Sequence, residues 1–371
     1  MKYLRLLSVF LLIPLFLTAQ SLNIPTAHYG LSLGNSKQFT GIRINWSDHQ
    51  VQQINGINIT LWRSKNNKSA VVKGVSLGLL MPQAGTLYGA QVGLVGIAAE
   101  KQTIGLNLAG LGIGAGREVC GLNFAGLGIG SGKNISGISL SGLGIASGGS
   151  VKGISLSGIG LGAGQEITGL NIAGLGIGAG GSIRGLSLAG FGVGCGADIK
   201  GITLAGLGVG ASGNVTGFTV SGIGIGAGKN IRGVQAALLG IGAGEKVVGI
   251  NLAGFGLGAM QEVAWLNVAG FAVGARTIKG LTIAGFAAGA EHIKGVTVTS
   301  GMIKIKNNGE YKGLAVSAFN NIKGRQVGLS LGIFNYARRL HGVQIGLVNY
   351  VKENPILFKV MPLLNFNFSG D

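Results

Sequence analysis

From Gly105 onward the chain repeats one arrangement of apolar, small and polar positions every sixteen residues, as in GLNLAGLGIGAGREVC (105–120) and GLNFAGLGIGSGKNIS (121–136). Units start at 105, 121, 137, 153, 169, 185, 201, 217, 233 and 249 without an insertion. Looser units start at Trp265, Gly280, Gly295, Gly313, Gly328 and Gly342, and others upstream at Gly41, Gly56, Gly74 and Gly89. Numbered from its leading glycine, a unit is apolar at positions 2, 4, 7, 9 and 15 and carries Asn, Ser or Thr at position 3. Positions 6, 8, 10 and 12 are mostly glycine, and charge falls almost only at 13, 14 and 16.

Apolar residues at every second position predict strands, because successive side chains of a strand face opposite ways. A helix needs apolar residues three and four apart and tolerates little glycine. The alternation changes parity between positions 4 and 7, which places a bend near 5–6. Two architectures suit this pattern. In a glycine-rich parallel β-solenoid each unit is one coil, apolar positions 2, 4, 7, 9, 11 and 15 point inward, and stacking of coils supplies the core. In a transmembrane antiparallel β-barrel each unit is one strand and one turn, and positions 2, 4, 7 and 9 face lipid. Constant unit length, successive units of one kind, and the scarcity of Trp and Tyr in the middle units favour the solenoid. The L/I-x-L/I-x-N spacing at Asn335 and Asn349, which suits asparagine ladders at solenoid corners, adds to this. The closing LLNFNF (363–368) and the high mean hydropathy favour the barrel.

The division of the chain follows from regularity. Lys2 and Arg5, the apolar run 6–17 and Thr18-Ala19-Gln20 read as a secretory signal peptide over residues 1–20. Residues 21–104 hold irregular N-terminal repeats that act as a cap, residues 105–294 the regular repeats, and residues 295–371 irregular C-terminal repeats that form a second cap. Composition agrees: 74 of 371 residues are glycine, 47% are apolar and 11% charged. That excludes a disordered chain, which would be charged and apolar-poor. Only five prolines exclude collagen. Cys120 and Cys195 occupy different repeat positions and are expected to be unpaired.

Candidate chemistry is sparse. GLGIGAG strings resemble a dinucleotide-binding turn, but they recur and no helix follows. GSGKN (130–134) and GAGKN (226–230) lack the first glycine and the Ser/Thr of a phosphate loop. His28, His49, His292 and His341 stand apart from other metal ligands. Asp48 is explained by turn chemistry. Repeated serines such as Ser139, Ser141, Ser155 and Ser157 follow the register, whereas a catalytic site is singular. No catalytic residue, cofactor or metal is expected; an enzyme would require a singular polar cluster within 41–104 or 295–368.

Charge points to a surface. A formal +18 at pH 7 suits an anionic partner, but without arginine-rich or aromatic-interleaved runs a specific nucleic-acid partner is not expected. Position 3 (Asn107, Asn123, Ser139, Ser155, Asn171) is expected to form an exposed polar stripe. The basic residues, one or two per repeat, read first as a solvated rim; Lys133, Arg184, Lys200 and Arg232 along it are the candidate stripe for an anionic envelope polymer or a membrane surface.

The end units GLSLGIFNYARRLHGVQIGLVNYVKENP and VMPLLNFNF resemble an uncharacterised family of bacterial surface-repeat proteins with G-Φ-Q-Φ-G-L-Φ-N units (Φ apolar), a signal peptide and a closing P-L-Φ-N-x-x-F. Gly342, Gln344, Gly346, Asn349, Pro362, Asn365 and Phe368 carry the likeness, and GINITLW (56–62) resembles the family's opening units. The regular middle departs from it, with Ile or Val at position 9 in place of Asn. The resemblance implies export to the surface or outer membrane of a two-membraned bacterium and brings no activity. The expected function is therefore an exported, non-catalytic structural or binding scaffold, with an outer-membrane barrel or pore as the alternative.

Overall fold

The computed structural model describes residues 21–64 and 67–368; the signal peptide expected over residues 1–20 lies outside the described residues. The described residues form two compact units, one ending at Leu175 and the other beginning at Gly176. Each is a stretch of parallel β-solenoid, so the antiparallel barrel is not the fold that forms.

The first unit opens with Ser21–Pro25, which pairs antiparallel with Tyr29–Gly34. Parallel pairing then runs from Tyr29–Gly34 through Gln38–Asn45, Gln53–Thr60, Val71–Gly78 and Gln83–Gly93 to Gly96–Ala109. From there each coil separates into a longer strand, such as Glu118–Ala125 or Asn134–Ser141, and a short one, such as Gly128–Ser131 or Gly144–Ser147. Like stacks on like: Leu122 pairs with Ile138 and Ile138 with Ile154, while Ile129 pairs with Ile113 and Ile145. The bend expected near positions 5–6 is present. The longer strand ends at position 5, and the turn keeps the ladder through position 7, where Leu127 N donates to Leu111 O at 2.7 Å.

The leading glycine makes the close stacking possible. Gly121 has φ +105°, and a Cβ there would lie 2.1 Å from the carbonyl oxygen of Gly105 on the adjacent coil. An L-residue is both strained at such a φ and too large for the contact.

The interior differs from the expected one. Positions 9, 11 and 15 are buried as expected (Ile129, Ala115, Val119), together with small residues at position 5 such as Ala125. Positions 2 and 7, expected inward, face outward: Leu122 is 44% and Leu127 46% exposed, and Phe124 at position 4 is likewise exposed. Position 3, expected as an exposed stripe, is interior: Asn107, Asn123, Ser139, Ser155 and Asn171 are all buried. The physical reason is alternation combined with volume. Positions 15, 1, 3 and 5 share one face of the long strand, and glycine at 1 and alanine or serine at 5 keep that face thin. The opposing short strand offers Ala at 11, so the lumen suits Asn, Ser and Thr but not a file of Leu and Phe. Part of this polar file is satisfied by pairing along the stack, whereas both side-chain polar atoms of Asn171 have no hydrogen-bond partner among the described residues. Thr103 Oγ1 donates to Asn107 Oδ1 at 2.5 Å, Asn107 Nδ2 to Asn123 Oδ1 at 2.7 Å, and Asn123 Nδ2 to Ser139 Oγ at 3.2 Å.

The second unit repeats this scheme. Parallel pairing runs from Ile183–Ala189 through Ile199–Ala205, Val215–Ser221, Asn230–Ala237, Lys246–Ala253, Glu262–Ala269 and Thr277–Ala284 to Ala287–Thr299. It continues through Met302–Val316 and Phe319–Leu331 to Phe334–Val351. The asparagine ladder expected at the corners is present: Asn320 Nδ2 donates to Asn335 Oδ1, and Asn335 Nδ2 to Asn349 Oδ1, each at 2.7 Å. Val360–Asn367 closes the unit by pairing antiparallel with Phe334–Val351. Each terminal strand thus occupies a ladder edge that would otherwise expose unpaired backbone groups. Among the described residues no helix is long and apolar enough to cross a membrane.

Candidate functional site

The outer face of the long strand carries the side chains of positions 16, 2 and 4, and the adjoining turn carries position 7. Within the first unit, Leu94, Leu108, Phe124, Leu140, Leu156 and Ile172 line a shallow apolar groove of about 760 Å³. Within the second unit, position 7 becomes aromatic. Phe255 stacks on Phe271 with centroids 5.0 Å apart, and Phe271 on Phe286 at 5.3 Å, all three exposed.

Three of the four basic residues singled out above share one row in the second unit. Arg184 pairs in register with Lys200, Lys200 with Thr216, and Thr216 with Arg232. All three are exposed. They sit at position 16, two residues before the apolar position 2 of the same strand (Leu186, Ile202, Val234), so cation and hydrocarbon alternate along one outer face. Lys200 Nζ lies 3.5 Å from Asp198 Oδ2. The carboxyl of Asp198 is held below its ordinary range by hydrogen bonds from the backbone and side chain of Asn214, at 2.8 and 2.9 Å, on the next coil. Lys133, in the first unit, is exposed too but stands at position 13, at a corner rather than on the long strand. Lys133 therefore occupies a different repeat position from the other three.

Two polar clusters were not anticipated. Arg43, a position-3 residue, is fully buried in the first unit. Its Nη1 donates to Asp48 Oδ1 at 2.5 Å and to Asn58 Oδ1 at 2.6 Å, and Nη2 donates to Asn35 Oδ1 at 3.0 Å. Asp48 Oδ2 accepts from Asn58 Nδ2 at 3.0 Å and Thr60 Oγ1 at 2.9 Å. Asp48 thus neutralises a buried cation and is more than a turn residue. The signal in the sequence was an arginine at a position where the repeats carry Asn, Ser or Thr. The second cluster, in the second unit, surrounds a four-residue irregularity at 306–309 with Lys304, Lys306, Lys323, Glu291 and His292. Its signal was the eighteen-residue step from Gly295 to Gly313.

The remaining candidates stay isolated. Cys120 and Cys195 are free thiols; burial pushes the Cys195 thiol up. His28, His49 and His292 are exposed, and His341 meets the edge of Phe368 at 6.2 Å. Among the described residues no group of three or more His, Cys, Asp or Glu is arranged to hold a metal ion. No family model, curated protein or solved structure matches the chain.

Proposed function

We propose that the chain is a non-catalytic scaffold exported to the cell envelope, where its outer face lies on an anionic membrane surface. The observation that carries this proposal is the outward placement of the large apolar side chains at positions 2, 4 and 7 beside the basic row of position 16. Contiguous apolar patches beyond a few hundred Å² are uncommon on soluble proteins and mark interaction surfaces. Charge selects the occupant. A chain of formal charge +18 is drawn to anionic surfaces, and each Lys or Arg close to an anionic bilayer contributes about 1 kcal/mol. Leu and Phe beside those charges suit the headgroup–acyl boundary; a purely polar anionic polymer would leave them uncovered. Through the regular coils, residues 105–294, polar side chains recur from coil to coil instead of converging on one point, which supports a scaffold over a catalyst. The leader pattern of residues 1–20 and the likeness of the end units to the surface-repeat family support the envelope address.

Flotation of the mature chain with vesicles tests this. Binding to phosphatidylglycerol-containing vesicles and little to pure phosphatidylcholine is expected. Arg184→Ser, Lys200→Ser and Arg232→Ser together remove three charges, so affinity for anionic vesicles should fall about 100-fold. Leu204→Ser with Phe218→Ser, which change outer positions only, should weaken binding without altering the far-ultraviolet spectrum. Equal flotation of the parent chain and both variants would refute the membrane-surface function.

A further inference from the structure

The second unit carries one feature that the repeat does not generate. In Ala287–Thr299 a single residue, Glu291, separates Ala290 from His292. On the next coil four residues, Lys306 to Gly309, separate the equivalent Ile305 and Glu310, and on the coil after that Lys323 and Gly324 separate Ile322 from Arg325. The extra residues stand out from the corner and wall a pocket of about 460 Å³ lined by Glu291, His292, Lys304, Lys306, Lys323 and the insertion itself.

The insertion is anchored. Asn308 adopts a left-handed φ of 63°, and its Oδ1 accepts from Arg338 Nη1 at 2.6 Å. Arg338 Nε is in turn held by Glu353 Oε1 at 2.8 Å. At the root, Gly309 is buried and stacks so closely on Gly324 that a side chain on either would overlap the backbone of a neighbouring coil.

The charges inside do not cancel. Three lysines face one glutamate, a formal +2 with His292 neutral. Glu291 is already engaged: Arg276 Nε, outside the pocket lining, lies 2.9 Å from Oε2, and Lys306 Nζ lies 3.7 Å from Oε1. These cations hold the Glu291 carboxyl below the usual range, with the Arg276 hydrogen bond the main cause. Lys304 and Lys323 have no carboxylate within 4.0 Å among the described residues. Lys304 stands where the two preceding coils carry Gly274 and Gly289 in register and the two following coils carry Asn321 and Tyr336, so it is the one cation among these five residues.

We infer that this pocket binds a dianionic phosphate group, a phosphate monoester or a pyrophosphate terminus, between Lys304, Lys306 and Lys323. Ammonium groups are compact point charges that suit a tetrahedral dianion, whereas a planar carboxylate is matched best by the arginine fork. No arginine lines the pocket. His292 and the amides of Asn307 and Asn308 supply further donors at the rim. The inference does not depend on the membrane surface proposed above, because the pocket recognises the phosphate group itself.

Titration calorimetry of the mature chain with inorganic pyrophosphate, at fixed ionic strength, is the test. One saturable site is expected, tighter for pyrophosphate than for sulfate. Lys304→Gln and Lys323→Gln should each weaken it about tenfold by removing a charge-assisted contact, while Lys229→Gln, an exposed lysine elsewhere in the same unit, should leave it unchanged. Vesicles bearing phosphatidic acid, a monoester, separate the two sources of such a group. Competition with pyrophosphate identifies a lipid headgroup, and lack of competition identifies a soluble phosphate compound; either supports the site. Absence of saturable binding, binding unchanged in the Lys304→Gln/Lys323→Gln double variant, or equal weakening by Lys229→Gln would overturn it.

Discussion

Replacing Gly137 by alanine should lower the melting temperature of the protein, while the same replacement at Gly130, seven residues earlier, should raise it slightly. Gly137 leads a unit and has φ +100°, a conformation that costs an L-residue about 1–2 kcal/mol. Its Cβ would also lie 2.2 Å from the carbonyl oxygen, 2.9 Å from the carbonyl carbon and 3.0 Å from the nitrogen of Gly121. All three are backbone atoms of the adjacent coil, so no side chain can swing aside and the coils must separate locally, which costs about 1–3 kcal/mol. The total is roughly 2–5 kcal/mol. Gly130, at position 10, has no positive φ, and a Cβ there would meet nothing within 4 Å. Alanine at that site restricts the unfolded chain and gains about 0.4–1 kcal/mol. For a cooperative unit of this size each kcal/mol moves the midpoint by about 2–4 °C, so the two variants should melt roughly 10 °C apart. Trp265 occupies the leading position with φ 85°, stacked between Gly249 and Gly280, so the strain is bearable on one coil and Gly137→Ala should still fold. Far-ultraviolet circular dichroism melts of both variants give the answer. Equal midpoints for Gly137→Ala and Gly130→Ala would refute the claim that contact between coils imposes the leading glycine.

Two further outcomes follow from the buried polar groups. Asp48→Ala strands Arg43 as an uncompensated interior cation and should cost about 3–5 kcal/mol in urea denaturation, whereas the double change Arg43→Met/Asp48→Leu should recover most of that loss; a single variant as stable as the parent would show that the pair is not buried in solution. Burial pushes the Tyr311 hydroxyl up to about 12, and it donates to Leu314 O at 2.6 Å. Since the folded value lies above the unfolded one of about 10, Tyr311 contributes stability that is complete below pH ~10 and lost as pH rises towards 12. Alkaline unfolding should therefore begin later in Tyr311→Phe, unless loss of the Leu314 hydrogen bond dominates at all pH values, in which case the two curves would stay parallel and the pH argument would fail.

Much of this architecture is legible in the residues. The sixteen-residue spacing places Leu122 over Leu106 and Ile138 over Leu122, and the parity change places the turn. What misleads is the assumption that the largest apolar side chains go inside. Leu122, Phe124 and Leu127 outweigh Asn123 in hydrophobicity, yet the lumen is set by the glycine at position 1 and the small residues at 5 and 11, and volume decides against them. Asn123 is tolerated inside because Asn107 and Ser139 lie directly above and below it, a pairing that depends on register and not on composition. The small residues at 5 and 11, Ala125 and Ala115 among them, were the available signal. The pocket around Lys304 was foreshadowed only as a break in unit length. Sequence spacing does not say which flanking lysines converge, since that depends on how the inserted residues leave the corner. The charged unit edges at positions 13, 14 and 16 suggest one row through Lys133, Arg184, Lys200 and Arg232, but position 13 stands at a corner and position 16 on the long strand.

The parallel register between identical coils bears on how such a gene can change. Between residues 105 and 168 each coil meets a neighbour almost indistinguishable from itself. An in-frame tandem duplication there inserts a coil whose every side chain finds the partner its template already had, lengthening the first unit by about 4.8 Å at no cost in packing. A one-residue slip instead turns every asparagine out and every leucine in. Growth and shrinkage by whole copies are thus open to drift, and intermediate lengths are closed by the pleat itself.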